Sequence, residues 1–490
     1  MAFIDGTVVN VALPALQSSL HATVLGVQWV IESYGLFLSA LILVGGAIGD
    51  SLGRRAVFLA GTTLFAAASV GCGLSATISE LVIFRCVQGI GAAALVPSSL
   101  AIISASFDEK SRGQAIGTWS GFTAITTALG PVIGGWLIQH ASWHWAFFIN
   151  IPLAAAVIII SLLHIPETRA ASTRSIDWLG AFTVTIGLAG LVYGFIQSAA
   201  SGWGDPLVIG SLIVGVSAFV LFVMRERRIS APMVPFELFK SRNFTGANLF
   251  TLLLYSALGV FFFIFPLNLI QIQKYSATAT GAASVPMIVL MFLLSRWSGG
   301  LVSHYGARIP LVIGPLIATA GFLLFARPSI GGNYWTTFFP AFVVLGLGMA
   351  ITGAPLTVVV MASIGQDRAG TASGINNAVA RVAGVLAIAI LGGVMVQAFG
   401  HDLHKSLSAI HLDPALASDL QSNRVKLAAL QVPANLDPNT AANVQDGISH
   451  AFVYAFLWMT AVCAALSAAS AVVALLMISS SAEASKSVRS

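Results

Sequence analysis

Four ionisable side chains, Asp5, Glu32, Arg85 and Arg381, stand inside apolar runs of the chain. Charge at membrane depth is costly and marks a functional site by default. The two acids can bind and release a proton, whereas an arginine cannot shed its charge in a protein. Arg85 lies five residues past Glu80, and Glu32 five past Val27. Counted from one face of the membrane, both are roughly 7 Å deep. The expectation is a Glu32–Arg85 pair that binds a proton, with Asp5 as the deeper acid. The plainer alternative is that Arg85 snorkels outward and Glu32 faces an outer vestibule. Arg381 falls near mid-bilayer with Asn376 and Asn377 about a turn below it, so it should face a cavity or meet polar neighbours such as Asn248, Asn268 or Asn333. Asn10, Gln88, Asn376, Asn377 and Arg381 are the candidate side chains of a substrate cavity. His144, in the aromatic run Ser142–Phe148, reads as an interface residue rather than a proton relay.

These residues need a scaffold of membrane helices. Only 8% of the chain is charged against 57% hydrophobic, and mean hydropathy is +0.90. Apolar windows of spanning length fall near 1–19, 27–48, 56–78, 81–103, 114–138, 145–165, 177–198, 206–224, 244–270, 279–301, 309–327, 334–361, 370–397 and 449–478. Fourteen spans of this length exclude a β-barrel, whose strands alternate over about 10 residues, and make a soluble protein with buried helices a poor alternative. Arg54, Arg55, Lys110, Arg112, Arg225, Arg227, Arg228 and Arg308 fall in loops on one side, which should be cytoplasmic with both termini inside. The net charge of +5 is then accounted for by these anchors, and no nucleic-acid partner is expected. Cys72, Cys86 and Cys463 lie in apolar spans, so neither a disulfide nor a metal site is expected. No cofactor is expected, and without a phosphate-cradling Gly-Lys-Ser/Thr loop no ATPase site either.

The amino terminus does not read as a signal peptide, because it has no basic n-region and Asp5 interrupts the apolar core. With Asp5 roughly 6 Å from Met1, either the first helix is short at that end or the true start lies upstream. The second is the expectation. Residues 166–176 form a polar linker, and 226–242 an interfacial run carrying Phe236, Leu238 and Phe239. Residues 398–448 form a long outer loop with a short amphipathic helix near Ser418–Leu430.

Two loops carry patterned chemistry. Gly45, Gly46, Gly49, Asp50, Gly53, Arg54 and Arg55 combine glycines for close approach and a sharp turn with an acid and two basic anchors. An ordinary basic turn would satisfy the same pattern. A weaker copy runs from Arg296 to Arg308, where Gly299, Gly306 and Ser303 match Gly46, Gly53 and Asp50. Such an echo suggests two related halves, the usual construction of secondary transporters. In the fifth span, Gly117, Gly121, Gly130, Gly134 and Gly135 allow tight contact and Pro131 breaks the hydrogen-bond ladder.

These motifs resemble the major facilitator superfamily, and specifically its fourteen-helix drug:proton antiporters. Asp50 with its glycines and arginines is similar to the superfamily's loop between helices two and three. Leu81–Gly91 resembles its fourth-helix motif, Ala128–Leu137 the antiport motif of helix five, and Ile4–Pro14 the first-helix signature of the fourteen-helix branch. The departure is at the start, where the family carries more chain before the aspartate. The resemblance implies an all-α polytopic membrane protein of the major facilitator fold, with two six-helix bundles and two additional central helices. The domains would be 1–165, a linker with the added pair at 166–243, a second bundle at 244–478 holding the outer loop 398–448, and a tail at 479–490.

The function expected from this is proton-driven export of lipophilic, cationic small molecules by alternating access, with no enzymatic activity. Asp5, Glu32 and Arg85 would couple protons. Asp50, with Arg112 as partner, would form a cytoplasmic latch, and Gly130, Pro131, Gly134 and Gly135 would gate the bundle interface. The expected partners are a small-molecule substrate, protons, the lipid bilayer and, in a two-membrane host, a periplasmic adaptor. The protein is expected to be a monomer in the bacterial cytoplasmic membrane. Export or uptake of a metabolite, lipid or siderophore is the alternative within the fold; a channel or a structural or sensory membrane protein is the alternative outside it.

Overall fold

Every apolar window of the sequence falls on helix. The computed structural model describes residues 1–107, 109–169, 177–229, 232–327, 330–363, 369–410, 412–432 and 436–479, with the backbone alone described at 104, 109–118, 120–121, 124–125, 127–128, 295–296, 303 and 369–370. The first part of the chain forms α1 (Ala2–Ser19), α2 (Val24–Leu52), α3 (Arg54–Leu74), α4 (Ile78–Ser106), α5 (Glu109–His140), α6 (Trp145–Phe148) and α7 (Asn150–His164). Two helices follow, α8 (Trp178–Ser201) and α9 (Pro206–Glu226). The remainder is α10 (Arg242–Leu267), α11 (Ala277–Ala283), α12 (Val285–Tyr305), α13 (Arg308–Leu324), α14 (Tyr334–Ala362), α15 (Ala369–Ser408), α16 (Pro414–Ser422) and α17 (Pro438–Met477). Among the described residues, eleven spans are long and apolar enough to cross a membrane. They fall in eleven of the expected windows, and α1, α5 and α13 occupy the other three.

Several of the scarce acids outside the apolar runs sit at helix starts. Asp177, Asp205 and Asp437 cap α8, α9 and α17, each side chain accepting from backbone N–H groups of the first turn. Thr77 and Glu80 close a reciprocal capping box at the start of α4. These caps fix where a long apolar helix begins, which hydropathy alone leaves open.

Packing sorts the helices into two groups with a pair between them. α2 and α3 pack on α4, and α1 on α5; in the later group α10, α15 and α17 pack together, as do α12, α13 and α14. α8 and α9 pair with each other, and α8 lies against α2 and α15. The groups meet where α5 touches α11, α2 touches α15 and α1 touches α10. At the first of these seams the contact is backbone on backbone. A Cβ on Gly281 would sit 1.9 Å from the Pro131 carbonyl oxygen, and one on Gly135 would sit 2.2 Å from that of Ala277. Only glycine permits this approach.

The segment 398–448 differs from its sequence reading. α15 and α17 run on as helix to Ser408 and from Pro438, so much of 398–448 is helical. The apolar windows ended where His401, Asp402, His404 and Lys405 begin, but polar residues do not stop a helix that has left the bilayer. The amphipathic helix expected near 418–430 starts earlier, at Pro414, and stops at Ser422; a 3-10 turn over Arg424–Ala429 follows. Pro414 occupies the first turn, where its missing N–H costs nothing. Leu427 in that turn is fully buried at φ +49. The turn is tied down by Gln17, which donates to the Lys426 carbonyl at 3.0 Å and accepts from Gln271 at 2.8 Å.

Within the run 226–242, residues 232–240 form a strap. The Val234 N–H donates to Glu226 at 2.7 Å, a 3-10 turn spans Phe236–Lys240, and the Phe239 ring meets Phe244 at 5.2 Å. In the linker after α7, Glu167 accepts from the N–H groups of Arg55 and Ala56, both at 3.0 Å. Arg174 of that linker lies outside the described residues.

Candidate functional site

Arg85 of α4 is fully buried, and its partner is Asp5 of α1, also fully buried, at 2.5 Å. The expected Glu32–Arg85 pair does not form. Arg85 Nη1 also donates to Gln88 Oε1 at 2.6 Å, and its Nε to the Val30 carbonyl at 2.9 Å. Its guanidinium lies 4.2 Å from the Tyr34 ring centroid. Asp5 accepts two further bonds at 2.9 Å, from Gln88 Nε2 and Asn150 Nδ2, and Gln88 Nε2 also donates to Ser69 at 2.8 Å. Side chains of α4 and α7 thus converge on the Asp5 carboxylate of α1, and α2 and α3 join the network through Arg85 and Gln88. Gln88, expected in the substrate cavity, is wholly buried in this network.

Asn150, Ser69 and Tyr34 are the members that sequence reasoning missed. Asn150 had a signal, being an amide at the start of an apolar helix, but nothing along the chain connects it to a residue 145 positions away. The azimuth of Arg85 around α4 was equally invisible. Depth along a helix was countable, and direction around it was not.

Glu32 lies elsewhere. It is 0% exposed, and neither of its side-chain oxygens has a hydrogen-bond partner among the described residues. Its neighbours one turn either way on α2 show which face it occupies. Gln28 donates to the Ile388 carbonyl of α15 at 2.7 Å, and a Cβ on Gly35 would meet Val385 of α15 at 2.8 Å. Glu32 therefore sits on the α2 face that meets α15, at the seam between the two helix groups.

In the later group, Asn376 donates to Thr251 at 2.8 Å and to Asn248 at 3.2 Å. Asn377 is exposed and donates to the Ser373 carbonyl of its own helix. Arg381 is half-buried, with its guanidinium 5.7 Å from the Phe3 ring centroid of α1. It forms no ion pair among the described residues. The polar neighbours expected for it are engaged otherwise: Asn248 by Asn376, and Asn333 as the cap of α14. Asn268 stands in a π-helical turn. Asn10 is half-buried on α1.

The gating candidates separate into a loop and a seam. Asp50 pairs within its own loop with Arg54, at 2.8 Å; the side chain of Arg112, its expected partner, lies outside the described residues. Arg55 donates to the Ile165 carbonyl. Gly53 closes the turn at φ +123, and its counterpart in the later loop, Gly306, turns at φ +71. Gly45, Gly46 and Gly49 face α4, opposite Ala93, Pro97 and Ser98. Gly130 and Gly134 face α1 at Thr7 and Val8, while Pro131 and Gly135 form the α5–α11 contact. His144 stacks on Trp143 at 3.8 Å, and burial moves its imidazole below the ordinary value of 6.5.

Comparison with known proteins places this geometry. The sequence profile of the Major Facilitator Superfamily matches residues 1–388. The chain is 34% identical to the tetracenomycin C resistance and export protein of Streptomyces glaucescens, across 82% of this chain and 74% of that one. It is 32% identical to the multidrug resistance protein Stp of Mycobacterium tuberculosis, across 84% of this chain and 77% of that one. Among solved structures, an inward-facing, unoccupied bacterial homologue of the human lysosomal transporter Spinster superposes with a TM-score of 0.63. That match has 17% identity and covers 96% of this chain and 94% of the other, so it speaks for the fold alone.

Proposed function

The chain belongs to the Major Facilitator Superfamily, a multi-pass membrane transporter, and we propose that it exports lipophilic, cationic small molecules in exchange for protons. The observation that carries proton coupling is Glu32. A buried carboxylate without donor or cation is far costlier than the neutral acid. Glu32 would therefore hold a proton while the α2–α15 seam is closed and release it when the seam opens to water. Asp5, Arg85, Gln88 and Asn150 would hold α1 against α4 and α7 beside it. Export is supported by the resistance and export proteins among the relatives.

In this reading 1–165 and 244–478 rock about each other, with 166–243 between them, 398–448 outside and a tail at 479–490. The basic loops and both termini are cytoplasmic, and the protein is a monomer in a bacterial cytoplasmic membrane, with a periplasmic adaptor in a two-membrane host. The α5–α11 contact and the Gln17–Lys426 tie then close the outer side. Everted vesicles test the reading: ethidium accumulation should be abolished by an uncoupler, and adding ethidium should release protons. Accumulation that survives the uncoupler would overturn it.

Arg381 favours a second reading, because a cation with no carboxylate partner suits an anionic substrate. Protection of an efflux-deficient host against anionic compounds but not cationic dyes would favour it.

A further inference from the structure

A cavity of about 420 Å³ lies between α8, α9, the strap 232–240 and the helices α2, α10 and α15. None of its lining residues comes from α1 or α4, which carry Asp5 and Arg85. Its size falls in the range of small-molecule sites, but its walls are almost entirely hydrocarbon. Leu188 of α8, Phe219 and Phe222 of α9, and Met233 and Phe239 of the strap form one side. Only Ser39, Thr245 and Asn248 bring polar side chains to it, and their hydrogen-bonding groups are already engaged. Ser39 donates to the Gly35 carbonyl, Thr245 to the Phe239 carbonyl, and Asn248 to the Phe244 carbonyl while accepting from Asn376. Such a cavity offers a guest apolar contact and few polar partners, and water is not held without such partners.

The rim has the opposite character. Arg227 and Arg228 are exposed at the end of α9 and Lys240 at the end of the strap, with one acid, Glu237, exposed on the same turn as Lys240. In sequence these cations lie within a few residues of the wall residues Phe222, Met233 and Phe239. Arg227 lies over the Phe236 ring at 5.6 Å, which anchors it beside the strap, and it forms no ion pair among the described residues. Apolar walls carried by segments that end in net positive charge match a molecule with a hydrocarbon tail and an anionic head. We propose that this cavity is a binding site for one anionic phospholipid, drawn from the leaflet that borders the basic loops. One acyl chain enters between the α8–α9 pair and α15, and the head phosphate sits at Arg227, Arg228 and Lys240. The strap is held to receive it, since Glu226 fixes the Val234 N–H and Arg225 is engaged with Asp177 of α8 at 2.8 Å. Because Ser39 continues the α2 stripe of Gln28, Glu32 and Gly35, the bound chain lies along the same seam as Glu32, about two turns away.

Native mass spectrometry of the purified full chain, exchanged against phosphatidylglycerol and phosphatidylcholine, tests this. The expected result is one retained phosphatidylglycerol, preferred by on the order of tenfold or more, since each basic residue contributes about a factor of several near a phosphate. Val184→Trp, which fills the cavity from α8, should lose the retained lipid. Arg227→Gln combined with Arg228→Gln and Lys240→Gln leaves the walls intact; it should keep a lipid but lose the head-group preference, and its ethidium efflux reports that it is folded. Equal retention of the two lipids by the unmodified chain would overturn the proposal, as would unchanged retention by Val184→Trp. Displacement of the lipid by ethidium would also overturn it, by making the cavity part of the transport route. Vesicle assays of proton release read Glu32 and not this site, so either idea can fail without the other.

Discussion

Asp5 and Glu32 are two fully buried acids on neighbouring helices, and their surroundings are opposites. Asp5 accepts from an arginine, a glutamine and an asparagine; Glu32 has no donor among the described residues. A carboxylate so thoroughly engaged serves to hold helices together, because moving it would strand Arg85 as well. One without partners is free to change state when its surroundings do. Burial depth therefore does not rank these acids as proton carriers. Their positions differ: Asp5 lies within one helix group, and Glu32 lies on the seam that parts in the proposed mechanism.

The largest effect that would test this contrast is at Arg85. Arg85→Ala should abolish ethidium efflux and destabilise the protein by about 3–5 kcal/mol, because it strands a buried acid. Arg85→Lys should not rescue efflux, since one ammonium cannot reproduce the Asp5, Gln88 and Val30 contacts together. Efflux and thermal unfolding in detergent measure both. Full efflux in Arg85→Ala would remove the cluster from the mechanism.

Next comes a split between the acids. Asp5→Asn should lower stability by several kcal/mol, and adding Arg85→Gln should recover part of that loss. Glu32→Gln should leave stability within about 1 kcal/mol, since it removes no bond, yet flatten the pH dependence of efflux. If Glu32→Gln keeps normal proton-coupled efflux, the seam acid is a bystander and the contrast has no functional meaning.

Asp50→Asn should act more weakly. Its pair with Arg54 joins residues four apart with the Asp50 side chain 46% exposed, and such pairs contribute only about 0.3–0.5 kcal/mol. Stability should not change measurably, while cysteine labelling should shift toward the face bearing the basic loops. An unchanged labelling ratio would remove Asp50 from gating.

His144→Gln should have the smallest effect. Its imidazole is held below 6.5 by burial, so it favours the neutral form. Any contribution to stability is present above the ordinary histidine value and fades as pH falls below it. The efflux pH profile should stay unchanged, and a displaced profile would make His144 a relay after all.

The spans, the family and the embedded charges were legible because they depend on composition and motif order, which are one-dimensional. Pairing was not. Arg85 and Glu32 stand at matched depth, but Gln28 and Gly35 turn the Glu32 face of α2 toward α15, and only three dimensions show that. The added helix in 398–408 and 438–448 escaped for another reason. Hydropathy reports where an apolar stretch ends, and α15 and α17 continue as helix past that point.

The joint between α5 and α11 has a mechanical consequence. Its two closest approaches are carbonyl against glycine, and the Gln139 side chain bonds across it, accepting from the Thr278 N–H at 3.4 Å. Side chains can change rotamer and cushion a displacement, whereas backbone cannot, so if the two helix groups rock as proposed, this contact should act as a hard pivot. From Pro131 back to Glu109, α5 extends roughly 33 Å at 1.5 Å per residue, which makes it a long lever on a stiff fulcrum. Pro131 deprives the helix of one ladder bond at that point, so any bending of the lever should concentrate where it pivots. A sub-ångström roll at the pivot is then returned as a displacement several times larger at the far end of the helix. A methyl group placed at Gly281 would act as a wedge under that lever, biasing its resting angle.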